Sequence, residues 1–329
     1  MSRMEKERAM LLEGDWLTAL RRQLPQQGQA MLVTVVRSQG QVPRETGARL
    51  ALAEDWQADS LGGGWLEQQA CSHARRLLAQ PQVLRHCLCF QLGPAGEYCC
   101  AGKVWLLFEK LDRQDEPWLE LAWQARREGR VLRRTLLLDS AAPVRCSWPA
   151  GSGEGVRWLA EPTVLQDDLA APELTVVLCG AGHVGRAVSR LLGELPVRLI
   201  WLDSRPAMFP LACPEHVTTL LGGVELNRQL PADACWLVMT HSDLLDYCWI
   251  EQILQRADAR FVGLLGSHSK LASFNLRLMG SLPLGRIASI RCPVGISGID
   301  SRQPVAVAIA VVAELLQLSG TPLPRPHSG

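Results

Sequence analysis

No C-x-x-C pair occurs among the 11 cysteines of this chain, so neither a structural zinc site nor a thioredoxin-type redox site has support in the sequence. Cys179, Cys235 and Cys248 fall inside apolar runs, where cysteine serves as a small core residue. Neither sign of charge is in excess, with Lys+Arg 34 against Asp+Glu 33. Without a basic surplus or a block of like charge, nothing argues for a nucleic-acid partner or an interaction tail. Long apolar runs are missing too: the stretch Val305 to Ala313 is too short to span a bilayer and ends at Glu314. The opening "MSRMEKERAMLLEGDWLTAL" mixes both charge signs and has no signal-peptide core. A cytoplasmic protein with no membrane partner and reduced thiols is expected. There is no H-E-x-x-H, G-x-S-x-G or Walker A sequence and no repeat. Spacing assembles no Ser/His/Asp set or acid/base pair, so no catalytic residue is assigned.

The 329 residues, 47% apolar and 20% charged, suit two soluble globular domains. Residues 1–139 read as an α/β domain. A helix (about Met4 to Leu24) leads to strands near 31–36 and 49–53, then through a glycine run to a helix. Strands near 86–92 and 103–109, a helix over 117–128 and a strand over 131–138 follow. Residues 140–173 turn to Pro, Gly, Ala, Ser and scattered acids without a sustained period, and read as a linker with a short extra strand near 156–159. From Leu174 strands and helices alternate to the end, over 174–329, closing on a helix near 304–318. The expected fold class is α/β: an N-terminal α/β domain followed by a Rossmann-type domain with a doubly wound parallel sheet.

The second half opens on "LTVVLCGAGHVGRAVSRLL", an apolar strand that runs through Gly180, Gly182 and Gly185 into a helix. That is the dinucleotide-binding fingerprint in its required context. Gly180 suits the tight turn, Gly182 a close backbone approach to pyrophosphate, and Gly185 close packing of helix on strand. The next strand ends at Asp203, where a carboxylate can accept from ribose hydroxyls and repel a 2′-phosphate. This favours an NAD-like nucleotide, although Arg205 stands nearby. A Rossmann turn that binds nothing is the plainer alternative. His183, His241 and His268 all follow strand ends on one edge, where an open α/β sheet binds ligands. Solvated loop histidines are the equally plain reading, and Ser242, Asp243, Ser267 and Ser269 read as helix N-caps.

In the first half, "SLGGGWLE" sets Gly62, Gly63 and Gly64 directly before a helix. Successive glycines cost chain entropy, so the run marks either an anion cradle or a tight strand–helix turn. Cys99 and Cys100, between Gly96 and Gly102, are candidates for soft-metal or sulfur chemistry. Arg37, Arg44 and Arg49 border the first loop as potential phosphate partners or as plain surface charges.

Seven ordered segments, "VTVVRSQGQVPRETGARL", "SLGGGWLE", "QLGPAGEYCCAGKVWLLFE", "CGAGHVGRA", "VMTHS", "VGLLGSHSK" and "RCPVGISGIDSRQPVAVAIAVVAELL", together resemble the xanthine dehydrogenase accessory family, XdhC/CoxI. The likeness runs from about Met31 to Leu318. It implies a chaperone in purine catabolism that binds molybdenum cofactor (molybdopterin) and holds it while a cysteine desulfurase supplies a sulfido ligand. The cofactor then passes to the molybdenum subunit of apo xanthine dehydrogenase. The resemblance also implies a homodimer. It places cofactor binding on Gly62, Gly63, Gly64, Glu67, Cys99, Cys100, Gly180, Gly182, His183 and Gly185, with Cys99 and Cys100 nearest the metal. We add Asp203, His241 and His268 from their strand-end positions. Where the family's cysteine motif ends in two glycines, this chain has Ala101 before Gly102. An NAD-dependent oxidoreductase using His183, His241 or His268 is the alternative, and a nucleotide-sensing regulatory module is a third reading.

Overall fold

The structure is a computed structural model and describes residues 10–11, 15–92, 102–140, 142–151, 153–169, 174–211, 213–214 and 217–318. The chain divides into two compact units, Met1–Ala171 and Pro172–Gly329. The first contains β1 (Met10–Leu11), α1 (Trp16–Gln27), β2 (Gln29–Gly40), β3 (Arg49–Leu52), β4 (Trp56–Asp59) and α2 (Gly64–Leu78). It continues with β5 (Arg85–Leu92), β6 (Gly102–Asp112), α3 (Glu116–Glu128), β7 (Leu132–Leu137), β8 (Arg145–Ser147), β9 (Val156–Ala160) and β10 (Val164–Leu169). One sheet has the order β1-β4-β3-β2-β6-β5, and a second has the order β8-β7-β10-β9.

Strand β2 is buried on both faces, and its period of two assigns each face a partner. Ala30 and Leu32 pack with Leu20 and Leu24 of α1 and Leu119 and Trp123 of α3. Met31, Val33 and Val35 pack with Leu66, Ala70 and Leu77 of α2. Helix α1 starts at Trp16 because the Asp15 side chain accepts from the Thr18 amide at 3.0 Å. It stops at Gly28, whose φ of 80° suits a left-handed cap. The expected helix from about Met4 is corrected accordingly. Met10–Leu11 instead pair in parallel with β4, and residues 1–9 lie outside the described residues.

The segment expected as a linker is also corrected. Strands β8, β9 and β10 all lie in it; β8 and β10 flank β7 and β9 pairs with β10, which makes a four-stranded antiparallel sheet. Its polar composition is misleading because charge is buried there in pairs. Arg134 on β7 is fully buried, and its guanidinium donates to Asp167 on β10 at 2.7 Å and to Glu109 on β6 at 3.0 Å. Arg49 on β3 donates to the other Asp167 oxygen. Trp118 of α3 lies under the Arg134 guanidinium, 4.2 Å from ring centroid to Cζ. Residues of both sheets therefore meet in one buried ion network. Arg49 is a structural partner rather than a free phosphate ligand, and Arg37 pairs with Glu161 and stacks on Trp105.

Burial opposes the charge on Asp167, but two guanidiniums outweigh it and hold its carboxyl below the usual range. Glu109 receives only a share of one guanidinium, and burial pushes its carboxyl up.

The second unit contains β11 (Thr175–Cys179), α4 (His183–Gly193), β12 (Arg198–Asp203), β13 (Thr218–Leu221), β14 (Cys235–Val238) and α5 (Asp243–Arg256). After these come β15 (Phe261–Leu264), α6 (His268–Leu278), α7 (Leu284–Ile287), β16 (Ile290–Arg291) and α8 (Pro304–Leu318). The sheet is parallel, in the order β13-β12-β11-β14-β15-β16. Alternate residues of β11 and β14 face opposite cores: Val177 and Trp236 pack with α5 and α6, Leu178 and Leu237 with α4 and α8. The strand order reverses direction between β11 and β14, which creates the switch-point crevice of a doubly wound sheet. Among the described residues no helix is long and apolar enough to cross a membrane.

The ion network generates a test. Arg134→Met leaves buried Glu109 without its hydrogen-bonded cation and Asp167 with Arg49 alone, so the first unit should lose about 3–5 kcal/mol in urea unfolding followed by tryptophan fluorescence. The deficit against wild type should shrink as pH falls. Protonation relieves the stranded Glu109 of the variant, whereas wild type loses the stabilisation of ionised Asp167 as pH drops through its depressed value. A deficit independent of pH would refute the charge argument.

Candidate functional site

At the carboxyl end of β11 the three glycines of the fingerprint have separable duties. Gly180 has φ 119°, and a Cβ there would stand 2.2 Å from the carbonyl oxygen of Met239, just past the end of neighbouring β14. At Gly185 a Cβ would lie 2.1 Å from the Gly180 carbonyl oxygen, so α4 can sit this close only with glycine there. That same oxygen accepts from the buried Trp201 indole at 2.9 Å. Gly182 is different: apart from its chain neighbours, no atom of the described residues lies within 4 Å of where its Cβ would be. The space beside Gly182 is open, next to the unsatisfied first amides of α4, which is the arrangement that accommodates a phosphate.

Asp203 is where the sequence placed it, at the end of β12, but it is not free. Its Oδ2 accepts from the Ala181 amide at 2.7 Å and from Arg205 Nη2 at 3.0 Å. Its Oδ1 accepts from the Arg205 amide and from Arg205 Nε, both at 2.9 Å. A carboxylate offers about four lone-pair sites, and these donors fill them. Burial works against its charge, yet the Arg205 guanidinium with the Ala181 and Arg205 amides holds the carboxyl below the usual range. Asp203, expected to accept from ribose hydroxyls, has its acceptor sites engaged within the chain. Its carboxylate ties the glycine loop to β12 instead.

Of the three histidines, His241 lines the crevice, together with Gly180, Asp203, Ser204, Gly222 and Thr240. His183 opens α4 and His268 opens α6, both exposed, and neither lines it. The crevice encloses only about 10 Å³, roughly the space of one water, so a ligand would lie across its mouth. Beyond β14 the Thr240 amide donates to Asp246 at 2.8 Å. Buried Asp246 also accepts from Lys270 Nζ at 2.6 Å, and Lys270 reaches Asp243 at 2.8 Å. This Asp246–Lys270 brace, which joins the loops after β14 and β15, escaped the sequence reading. An Asp six residues after the strand-end Thr and a Lys two residues after His268 were its only trace. Ser267 caps α6 as expected, accepting from the Lys270 amide, but Ser242 makes no side-chain cap at α5.

In the first unit, Gly62, Gly63 and Gly64 have φ of 101°, 73° and 64°, a succession that only glycine takes without strain. A Cβ at Gly62 would meet Pro43 at 2.7 Å. The amides of Leu61 and Gly63 donate to Glu67 Oε2 at 2.9 and 3.1 Å, and the Ser60 hydroxyl donates to it at 2.6 Å. The anion in this turn is thus the helix's own carboxylate, so of the two readings the tight strand–helix turn accounts for the glycines. Glu67 organises the turn. Cys99 and Cys100 lie outside the described residues, on the connection between β5 and β6. Among the described residues no group of three or more His, Cys, Asp or Glu side chains could hold a metal ion.

The glycines make opposite predictions. Gly182→Ala should change thermal unfolding little, within about 1 kcal/mol, while weakening any ligand that uses the open space. Gly185→Ala should destabilise the second unit by several-fold more, since a backbone carbonyl must move. Equal losses of stability in calorimetry would contradict the assignment.

Comparison with known proteins adds a family. The model described as the XdhC Rossmann domain matches residues 176–315, and that of the XdhC and CoxI family matches residues 24–86. A search of curated proteins finds no match. Among solved structures, a Bacillus halodurans protein described as a xanthine dehydrogenase is similar, with 20% identity and a TM-score of 0.69. The alignment covers 92% of this chain and 95% of that one, and at this identity the likeness speaks for the fold. With the two family regions in order, one in each unit, the chain belongs to the XdhC/CoxI family of xanthine dehydrogenase accessory proteins.

Proposed function

We propose that this chain is an accessory protein of xanthine dehydrogenase maturation. It binds molybdenum cofactor, holds it while a cysteine desulfurase supplies sulfur, and hands it to the molybdenum subunit of the apo-enzyme, working as a cytoplasmic homodimer without turnover of its own. The observation that carries this reading is the presence of both XdhC-type regions in one chain, one in each unit.

The local chemistry is compatible with such a ligand. When bound, molybdenum cofactor supplies an anionic phosphate and a metal that takes sulfur ligands. The open space at Gly182, bordered by the first amides of α4, suits a phosphate. The glycine turn of the first unit offers less, since Glu67 already occupies the Leu61 and Gly63 amides. Cys99 and Cys100 remain the candidate thiols for the metal.

The second reading is an NAD-dependent oxidoreductase. It has one supporting observation, that His241 lines the crevice where a proton donor to a reduced carbonyl would stand. Oxidation of NADH by the purified chain in the presence of small carbonyl compounds would favour it.

Purified from a host that makes molybdenum cofactor, the protein should carry molybdenum and, after oxidation, fluorescent pterin. Cys99→Ser and Cys100→Ser should lower that loading; unchanged loading would remove the thiols from the account. A pterin-free protein, together with activation of apo-enzyme that does not depend on it, would sink the chaperone reading.

A further inference from the structure

We propose that the crevice of the second unit takes a nucleotide whose adenosine ribose carries a phosphate, in preference to one with a free ribose diol, and that Arg205 makes the choice. The inference rests on reading the crevice as a nucleotide site and goes beyond the chaperone reading.

The argument begins with position. With a pyrophosphate at the α4 amides beside Gly182, the adenosine ribose falls at the end of the second strand of the βαβ unit, which here is Asp203-Ser204-Arg205. A free diol is recognised there by a carboxylate with vacant acceptor sites. Asp203 has none, because the Ala181 amide, the Arg205 amide and two guanidinium nitrogens use them all. A diol at this place would meet a saturated acceptor, and its hydroxyls would lose their water partners without replacement.

The outward face of the pair is cationic. The Asp203 side chain is 2% exposed and that of Arg205 is 35% exposed, so an arriving ligand meets the guanidinium first. Arg205 commits Nε and one Nη2 hydrogen to Asp203. A guanidinium has five N–H donors, so the two on Nη1 and the second on Nη2 have no partner among the described residues. Ser204, exposed and lining the crevice, adds a hydroxyl beside them. Planar N–H donors plus a hydroxyl match a phosphate monoester. Asp203 would ordinarily repel that dianion. Here it is buried and shielded by the arginine, and it acts as the support that fixes the guanidinium in place.

The test is isothermal titration calorimetry of the full chain with NADP⁺ and NAD⁺, which differ only in the 2′-phosphate. Wild type should bind NADP⁺ about tenfold or more tighter than NAD⁺. Arg205→Ala should weaken NADP⁺ by a similar factor. It should leave NAD⁺ unchanged or improved, because Asp203 regains acceptor sites. Arg205→Lys should keep part of the preference, which separates loss of charge from loss of fold, and a melting curve for each variant reports its folding. Equal binding of the two ligands, or a preference that survives Arg205→Ala, overturns this inference alone. Binding of neither overturns it and the nucleotide reading together, while molybdenum and pterin loading tests the chaperone reading separately.

Discussion

The second unit is organised around a backbone contact that only one residue type permits. Helix α4 lies so close to β11 that a methyl group at Gly185 would overlap the Gly180 carbonyl oxygen at 2.1 Å. With that contact made, the first turn of α4 stands directly over the strand end and Gly182 faces open space. Trp201 and Asp203 then lock the loop from the side, one through the Gly180 carbonyl and one through the Ala181 amide. The crevice is therefore a by-product of close packing, and its chemistry follows from which amides the packing leaves unsatisfied.

The two glycine loops of this chain show how little composition says about vacancy. Both stand at the start of a helix, and both contain glycines that no other residue could replace cheaply. In the first unit a carboxylate on the first turn of α2 folds back and satisfies the turn from within. Helix α4 has no acidic residue in its first turn, so no carboxylate of its own first turn competes for its amides. An acid three positions into the helix is thus the difference between a self-contained turn and an available one.

Much of this architecture was legible in the sequence. The second unit's strands and helices alternate with clear periods, and the closing helix expected near 304–318 is α8. At two sites the sequence does not show which charges pair. "VLQDDL" looks like linker, yet it is the buried strand β10 because Arg134, Arg133 and Arg49 reach its carboxylates. Asp203 has the right spacing for a ribose acceptor, yet a neighbour two residues along consumes it. Periodicity reports burial of apolar side chains and is silent about buried ions.

The shared guanidinium of Arg134 has a consequence for how this fold can change over generations. Glu109, Arg134 and Asp167 come from three different strands in two sheets. Replacing Arg134 takes the hydrogen-bonded cation from buried Glu109, and replacing Asp167 takes the carboxylate from Arg49, whereas without Glu109 the Arg134–Asp167 pair remains. A route towards an apolar core that begins at Arg134 or Asp167 therefore crosses a destabilised intermediate. The network therefore acts as a ratchet on sequence drift: easy to keep, and hard to leave by a first step at Arg134 or Asp167.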